Sequence, residues 1–404
     1  MATVNIFANA VGSVAKPPLV LIFLPEDQIG WCKQFSEEGY NVIHVPYTSA
    51  LANDILVQTL ESMLETVGRF EAEFALITYG LLQTHWPMIS DSLRPTISKL
   101  KACVHFCPSL QSGQDLLIRY SDKTFIPTIF HLASAQEELH ANLLPLSDTA
   151  ALDYELPASA YHPFSVYTYP KVPSEPPFPF LMKAPALVTA GEKSTADPHV
   201  RSATGVSLTR TLEILRRYLG PHFDLENLWE KHTYYEFVTR DAPKTMSTMV
   251  SAPYVNHVAT LTGGVGYEEL ARFYKYHFTR ETVTPPDTEL ITVSRTVGAD
   301  RIIDEMIFKC THTTEIDYFL PGIKPTGKPL EIALVGVVAF RGDKLFFEHI
   351  YWDQASVLVQ LGLLDPNNLP VAGIEVARKV VDPFGHPSNE LMSRWKESEG
   401  LPIT

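Results

Sequence analysis

The stretch Glu348–Leu364, EHIYWDQASVLVQLGLL, decides how the second half of this chain is read. Its first six residues, Glu348 to Asp353, are rich in aromatic and β-branched side chains and read as a strand. An apolar helix follows directly from Gln354. Strand alternation puts Phe347, His349, Tyr351 and Asp353 on one face, with Phe346, Glu348, Ile350 and Trp352 on the other. If the Asp353 face lines a cavity, a carboxylate, an imidazole and a phenol stand in file there. Burial would then raise the Asp353 pKa toward neutrality, where the group can give or take a proton. The competing reading is simpler: Asp353 caps the helix that begins near Gln354 or Ala355.

Outward from this stretch, strands are expected at Glu289–Val297, Arg301–Thr311, Leu330–Phe340 and Leu345–Asp353. Turn residues between them sit at Gly298 to Asp300 and Arg341 to Asp343. Helices are expected before them. Asp224 can cap one that runs to about Arg240, and Asp241 with Pro243 can start another. A third, over Gly266–His277, carries the stripe Leu270, Phe273, Tyr274 and His277. Helices followed by an antiparallel sheet is the α+β pattern, and a curled sheet over helices leaves a cone-shaped cavity.

Several residues in this half could serve that cavity. His232 and Glu236 lie four apart on one helix face, suited to orienting a base or joining a metal site, or equally to a surface ion pair. Asn256 and His257 follow the second helix, near the expected cavity mouth, where His257 would touch substrate. Tyr254, Phe273, Tyr274 and Trp352 could form aromatic walls, although such spacing also suits plain core. Asp304 and Glu305 are strand neighbours that point opposite ways; the inward one is expected to pair with Lys309 or Arg295. Gly263-Gly264-Val265-Gly266 lacks a P-loop Lys-Ser/Thr and reads as a flexible start to a helix.

The first half has another rhythm. Short apolar strands at Leu19–Leu24, Asn41–Val45, Phe74–Thr78, Ala102–Phe106, Thr128–Leu132 and Ser165–Tyr169 alternate with longer segments such as Asp54–Val67. That predicts a mostly parallel sheet covered on both faces. The proline- and aromatic-rich stretch from Asp153 to Pro185 suits an irregular wrap. A helix over Leu208–Leu219 closes the domain at Gly220-Pro221. Two domains, residues 1–220 and 221–404, are therefore expected.

The first half resembles the dienelactone hydrolase branch of the α/β-hydrolases, but the resemblance lacks that family's catalytic groups. The nucleophile position, in Thr78-Tyr79-Gly80-Leu81-Leu82, reads as Gly80. Where the acid would follow a strand the chain reads Ala133 to Glu137, and the histidine loop reads Pro170 to Phe180 with no histidine. This implies a non-catalytic scaffold, with Glu137, His131 and His162 left as catalysts only in some other arrangement.

The second half resembles the SnoaL-like polyketide cyclases and nuclear-transport-factor-2-like proteins, with their cystatin-like α+β barrel. The resemblance rests on element order and on Tyr254 to His257, Leu320 to Gly322 with Pro325 to Gly327, and the terminal strand EHIYWD. It implies that Asp353 is the acid/base; the residues themselves add the expectation that His349, His257 and Tyr351 polarise oxygens and that His232, Glu236, Tyr254, Asn256, Phe273 and Trp352 contact substrate. It also implies homodimers paired through the sheet.

The function expected is a cofactor-independent, metal-free cyclase, isomerase or dehydratase of specialised metabolism. Its partner would be a hydrophobic polyketide or terpenoid, and a Diels–Alder-type pericyclase is one variant. Ester or lactone hydrolysis and a non-enzymatic binding module are the alternatives. A net charge of −14 argues against nucleic-acid and anionic-membrane surfaces. The absence of a long apolar run, of a signal-like N-terminus and of a disulfide framework among the four cysteines leads to the expectation of a cytoplasmic protein.

Overall fold

The computed structural model describes residues 4–109, 116–120, 124–153, 164–172, 179–180, 182–193 and 197–404. The chain divides into two compact units, Met1–Phe223 and Asp224–Thr404.

In the first unit the elements run β1 (Asn5–Phe7), β2 (Leu19–Leu24), α1 (Gly30–Glu37), β3 (Asn41–Pro46), α2 (Asn53–Val67), β4 (Phe74–Tyr79), α3 (Trp86–Leu93), β5 (Leu100–Phe106), β6 (Thr128–Ala133), α4 (Glu137–Asp153), β7 (Phe164–Tyr169) and α5 (Pro198–Tyr218). They build one sheet in the order β1-β3-β2-β4-β5-β6-β7, parallel except at β1. Strand β2 shows why the sheet needs cover on both faces. Leu19, Leu21 and Phe23 enter one apolar core, while Val20, Ile22 and Leu24 enter the other. Leu56, Leu60 and Met63 of α2 fill the first core, and Leu212 and Leu215 of α5 fill the second.

Helix α5 begins at Pro198 rather than near Leu208, behind an Asp197 cap whose side chain accepts from the His199 amide at 2.8 Å. Gly205 and the Ser/Thr residues weaken the helical signal of that first part, and packing of Val200 and Ala203 overrides it. Most of the irregular stretch expected from Asp153 to Pro185, the middle of the Pro170 to Phe180 loop and His162 lie outside the described residues.

The second unit runs α6 (Leu225–Thr233), α7 (Ala242–Ser247), β8 (Met249–His257), β9 (Thr262–Val265), α8 (Tyr267–Phe273), β10 (Glu289–Val297), β11 (Arg301–Thr311), β12 (Pro329–Arg341), β13 (Lys344–Trp352), α9 (Gln354–Gln360) and α10 (Glu375–Val381). Asp224 and Asp241 cap α6 and α7, each accepting from the backbone amide three residues on at 3.0 Å. The sheet order is β10-β11-β12-β13-β8-β9, antiparallel except where β13 meets β8. Its inner rows, such as Ile302, Met306 and Phe308 of β11 with Ile332 and Leu334 of β12, are buried. Helices α6 and α8 pack over this sheet.

Two expectations are corrected here. Tyr254 to His257, placed only as following the second helix, and the glycine run, read as a flexible start to a helix, form the β8–β9 hairpin, pairing Val255 with Gly264 and Asn256 with Gly263, before Gly266 opens α8. Gly263 sits at φ 127°, and a Cβ there would run into the Val255 carbonyl oxygen, so glycine is what lets β9 approach β8. The α-helical stripe is also broken. α6 and α8 each end in a π-helical turn, Tyr234–Val238 and Tyr274–Phe278, closed by Thr239 N–H to Tyr234 O at 3.0 Å and Thr279 N–H to Tyr274 O at 2.9 Å. The wider turn shifts the inward face by one residue. Phe278 is therefore buried, while His277 is exposed and bonded to Asp317 at 2.8 Å.

Candidate active site

A cavity lies between the inner face of the sheet and helices α6 and α8, with about 510 Å³ of free space including its mouth. Its wall is mostly apolar and aromatic, from Phe237, Phe273, Phe278, Phe308, Tyr318 and Phe319, with Ile350 and Leu334 beneath. The acid–base chemistry of the wall comes chiefly from Glu236, Tyr274, Glu348 and His257.

The first three surround His232, which is 0% exposed; Glu236 and Glu348 are each 4% exposed. Glu236 comes from the π turn after α6, Tyr274 opens the π turn after α8, and Glu348 comes from β13. The His232 tautomer follows from its neighbours. The Thr248 hydroxyl donates to the Thr245 carbonyl at 2.7 Å, so it accepts from His232 Nδ1–H at 2.6 Å. On the other side of the ring Nε2 lies 3.1 Å from Glu236 Oε1, 3.1 Å from Glu348 Oε1 and 3.3 Å from the Tyr274 hydroxyl. Tyr274 donates to Glu348 Oε1 at 3.2 Å.

Burial alone would hold the imidazole neutral, but the Glu236 charge and hydrogen bond, joined by Glu348, outweigh it and raise its pKa to about 10. Burial, reinforced by the Glu348 charge, pushes the Glu236 carboxyl up against the pull of His232. Burial and both carboxylates push the Tyr274 phenol far up, which keeps it a donor. The cluster is thus an imidazolium beside two buried carboxyl groups, with burial and the Glu348 charge pushing the Glu236 carboxyl toward its protonated form. The indole of Trp229 stacks on His232 at 5.7 Å and donates to Asp304 at 2.8 Å. Arg295 clamps that Asp304 at 2.7 and 2.9 Å, the pairing expected for the inward member of Asp304 and Glu305.

His257 is different. It is 4% exposed, and rings of Phe273, Phe278, Tyr318 and Trp352 surround it at centroid distances of 5.6, 6.2, 5.4 and 6.0 Å. Burial, only partly offset by Glu348 and a hydrogen bond to the Thr262 backbone, lowers its pKa to about 4. Its Nδ1 is buried with no hydrogen-bond partner among the described residues.

The expected acid/base stands elsewhere. Asp353 is exposed at the head of α9, where its Oδ1 accepts from the Ala355 amide at 3.0 Å: it is the cap. The face assignment of β13 is reversed. A register shift near Phe346 sets Glu348 and Ile350 inward and leaves Tyr351 44% exposed on the outer face. His349 is half-buried on that outer face, its Nδ1 3.5 Å from the Tyr351 hydroxyl. Tyr254 stacks on Phe347 at 4.9 Å there, and Asn256 pairs with His349 in register beside it. Trp352 packs against His257 and Phe319 without joining the cavity wall.

Of the residues expected to serve the cavity, the structure gathers His232, Glu236, His257, Phe273 and Tyr274, with Trp352 just behind. Glu348 was placed on the opposite face, and Thr248, Tyr318 and Phe319 carried no signal beyond residue type. Glu348 is legible as the one carboxylate in an otherwise apolar LFFEHIYW run.

The donor atoms of His232, Glu236 and Glu348 lie within 4.8 Å of one another and could hold a divalent cation. The His232 Nδ1–H bond to Thr248 is the kind of support that fixes a ligating imidazole. In the first unit, Gly80 stands after β4 at φ 61°. His131 is a satisfied core histidine, bonded to Tyr169 at 3.0 Å and Thr211 at 3.2 Å, and Glu137 is exposed at the start of α4. The four cysteines are buried and free. No described helix is long and apolar enough to cross a membrane.

No protein-family model matches this chain, and no curated protein matches it. Solved structures do. A protein described as a SnoaL-like polyketide cyclase from Jannaschia sp. CCS1 is 14% identical and covers 36% of this chain and 99% of its own, with a TM-score of 0.28. IdmH of Streptomyces antibioticus, described as a polyketide cyclase, is 16% identical over 35% of this chain and 99% of its own, at 0.29. A protein of ketosteroid isomerase-like fold from Catenulispora acidiphila is 14% identical over 34% and 93%, at 0.28.

Proposed function

We propose that the second unit is a cofactor-independent proton-transfer enzyme, a cyclase, isomerase or dehydratase acting on a hydrophobic polyketide or terpenoid. One observation carries the reading: two buried carboxyl groups line an aromatic cavity, each with an oxygen 3.1 Å from the same His232 nitrogen. One carboxylate takes a proton from the substrate and the other carboxylic acid returns one, so the cluster ends with the proton count it began with. Tyr274 steadies whichever carboxylate is charged. His232, with both ring hydrogens engaged, positions the pair and balances its charge. Closure of a Diels–Alder type would follow from the same proton transfer, once a diene has been generated in the cavity.

The test is product formation from a polyketide and terpenoid library, read by mass spectrometry, with wild type, Glu236→Gln and Glu348→Gln. Products from wild type that fall about 100-fold or more in both variants, while ligands still bind, are expected. Undiminished turnover by Glu348→Gln would overturn the reading.

The donor set favours one second reading, a divalent cation held by the same three residues. A rise in melting temperature when zinc is added to chelator-treated protein, absent in His232→Gln, would support it. The outer face of the sheet, with Ile303, Val335 and Tyr351 between 38% and 44% exposed, is read as the surface through which two copies pair.

A further inference from the structure

The aromatic wall of the cavity has its hydrogen-bond donors engaged elsewhere. The Trp229 indole N–H goes to Asp304 at 2.8 Å, and the Tyr274 hydroxyl goes to Glu348 at 3.2 Å. The Thr284 hydroxyl donates to the Phe278 carbonyl at 2.6 Å, so the Tyr318 hydroxyl, 2.9 Å away, donates to Thr284. The Thr233 hydroxyl turns back to the carbonyls of Trp229 and Glu230 at 3.2 and 3.1 Å. What Trp229, Tyr274 and Tyr318 bring to the cavity they line is therefore ring surface.

The acceptors are in a different state. His232 and Tyr274 meet Glu236 and Glu348 at Oε1 of each carboxyl group, which leaves both Oε2 atoms for a ligand. Both glutamates line the cavity and His232 does not, so the carboxyl groups stand between the imidazolium and the free space. No Lys or Arg lines the cavity among the described residues. His257 is held neutral by burial. A ligand thus meets acidic oxygens and aromatic rings.

We propose that the cavity selects an organic cation, an apolar skeleton bearing an ammonium group that sits among the rings beside the Glu236–Glu348 pair. This names the ligand class of the site described above and rests on the proton-transfer reading for the carboxyl pair being the reacting end. An ammonium centre gains from both parts of the wall: the carboxyl oxygens attract it in a poorly solvated space, and so do the electron-rich rings. An anion gains from neither and loses its hydration on entry.

The experiment is equilibrium dialysis of three ligands against chelator-treated full-length protein. They are benzyltrimethylammonium, its uncharged carbon isostere neopentylbenzene, and the anion phenylacetate. Wild type is expected to prefer the cation over the isostere about tenfold or more and to leave phenylacetate unbound. Glu348→Gln is expected to lower affinity for the cation about tenfold while keeping the isostere, and the double variant with Glu236→Gln to abolish the preference. Phe278→Leu, which keeps an apolar side chain without the ring, is expected to weaken the cation about threefold relative to the isostere. Retained binding of the isostere shows that each variant is folded.

Equal binding of cation and isostere by wild type, or uptake of phenylacetate, would overturn the proposal. A preference that survives in the double variant would place the cation elsewhere and do the same. Should the double variant fail to fold, wild type and Phe278→Leu decide by the same criteria. A preference that depends on the carboxyl pair, with full turnover in Glu348→Gln, keeps the cation site and removes the proton-transfer reading. Turnover lost in Glu348→Gln without any preference in wild type does the reverse.

Discussion

Glu348 and Asp353 belong to the same short stretch, yet one is 4% exposed beside an imidazolium and the other caps a helix in solvent. The difference is a matter of parity. Both faces of LFFEHIYW are apolar enough to be inward, so alternation alone cannot choose, and the register shift near Phe346 makes the choice. What the sequence did carry was the cap, because Asp before an apolar helix is the simplest account of such a residue. The four-residue spacing of His232 and Glu236 was equally plain. Their third partner, Glu348, is distant in the chain and could not be paired with them before the sheet was known.

The His232 cluster has a consequence for stability. Its folded pKa of about 10 lies above the unfolded value, and the Glu236 pKa is raised as well, so the folded state binds more protons than the unfolded one. The stabilising contribution of His232 is complete below the unfolded pKa of 6.5 and is lost as pH rises through about 10. Melting temperatures of the second unit's transition are expected to fall across that window, and His232→Gln should flatten the slope. A curve that rises with pH there would contradict the charge assignment.

At the scale of elements, the strands β10 and β11 and the caps at Asp224 and Asp241 were legible to the residue. Long periodic runs and short capping side chains are local signals. The β8–β9 hairpin was not legible, because Thr262–Val265 is mostly glycine and threonine, and its pairing with Tyr254 to His257 is decided by close backbone approach. The π turns escaped for a related reason. Nothing in YYEFV or YKYHF departs from helical composition, yet each turn moves the inward face by one residue. Those two turns carry Glu236 and Tyr274 into the site, so the elements least visible in the sequence are the ones that assemble the chemistry.

At the scale of the molecule, the two rhythms of the sequence correspond to two units. The first is a parallel-sheet unit with Gly80 at a turn where a nucleophile would be needed. Its buried histidine, His131, is already satisfied by Tyr169 and Thr211. The proposed chemistry belongs to the second unit. Pairing of two copies through its outer sheet face predicts a mass in light scattering of twice the 45.2 kDa of one chain. Tyr351→Glu should return it to one chain, and a monomer in the wild type would refute the pairing.

The central claim is that the buried carboxyl pair, and not Asp353, moves protons. It is met most directly by deuterium incorporation into 2-tetralone, an enolisable fused-ring ketone, followed by NMR in heavy water. The account predicts exchange by wild type and Asp353→Ala alike, and a loss of about 100-fold or more in Glu348→Gln. Exchange that survives in Glu348→Gln and disappears in Asp353→Ala would contradict it.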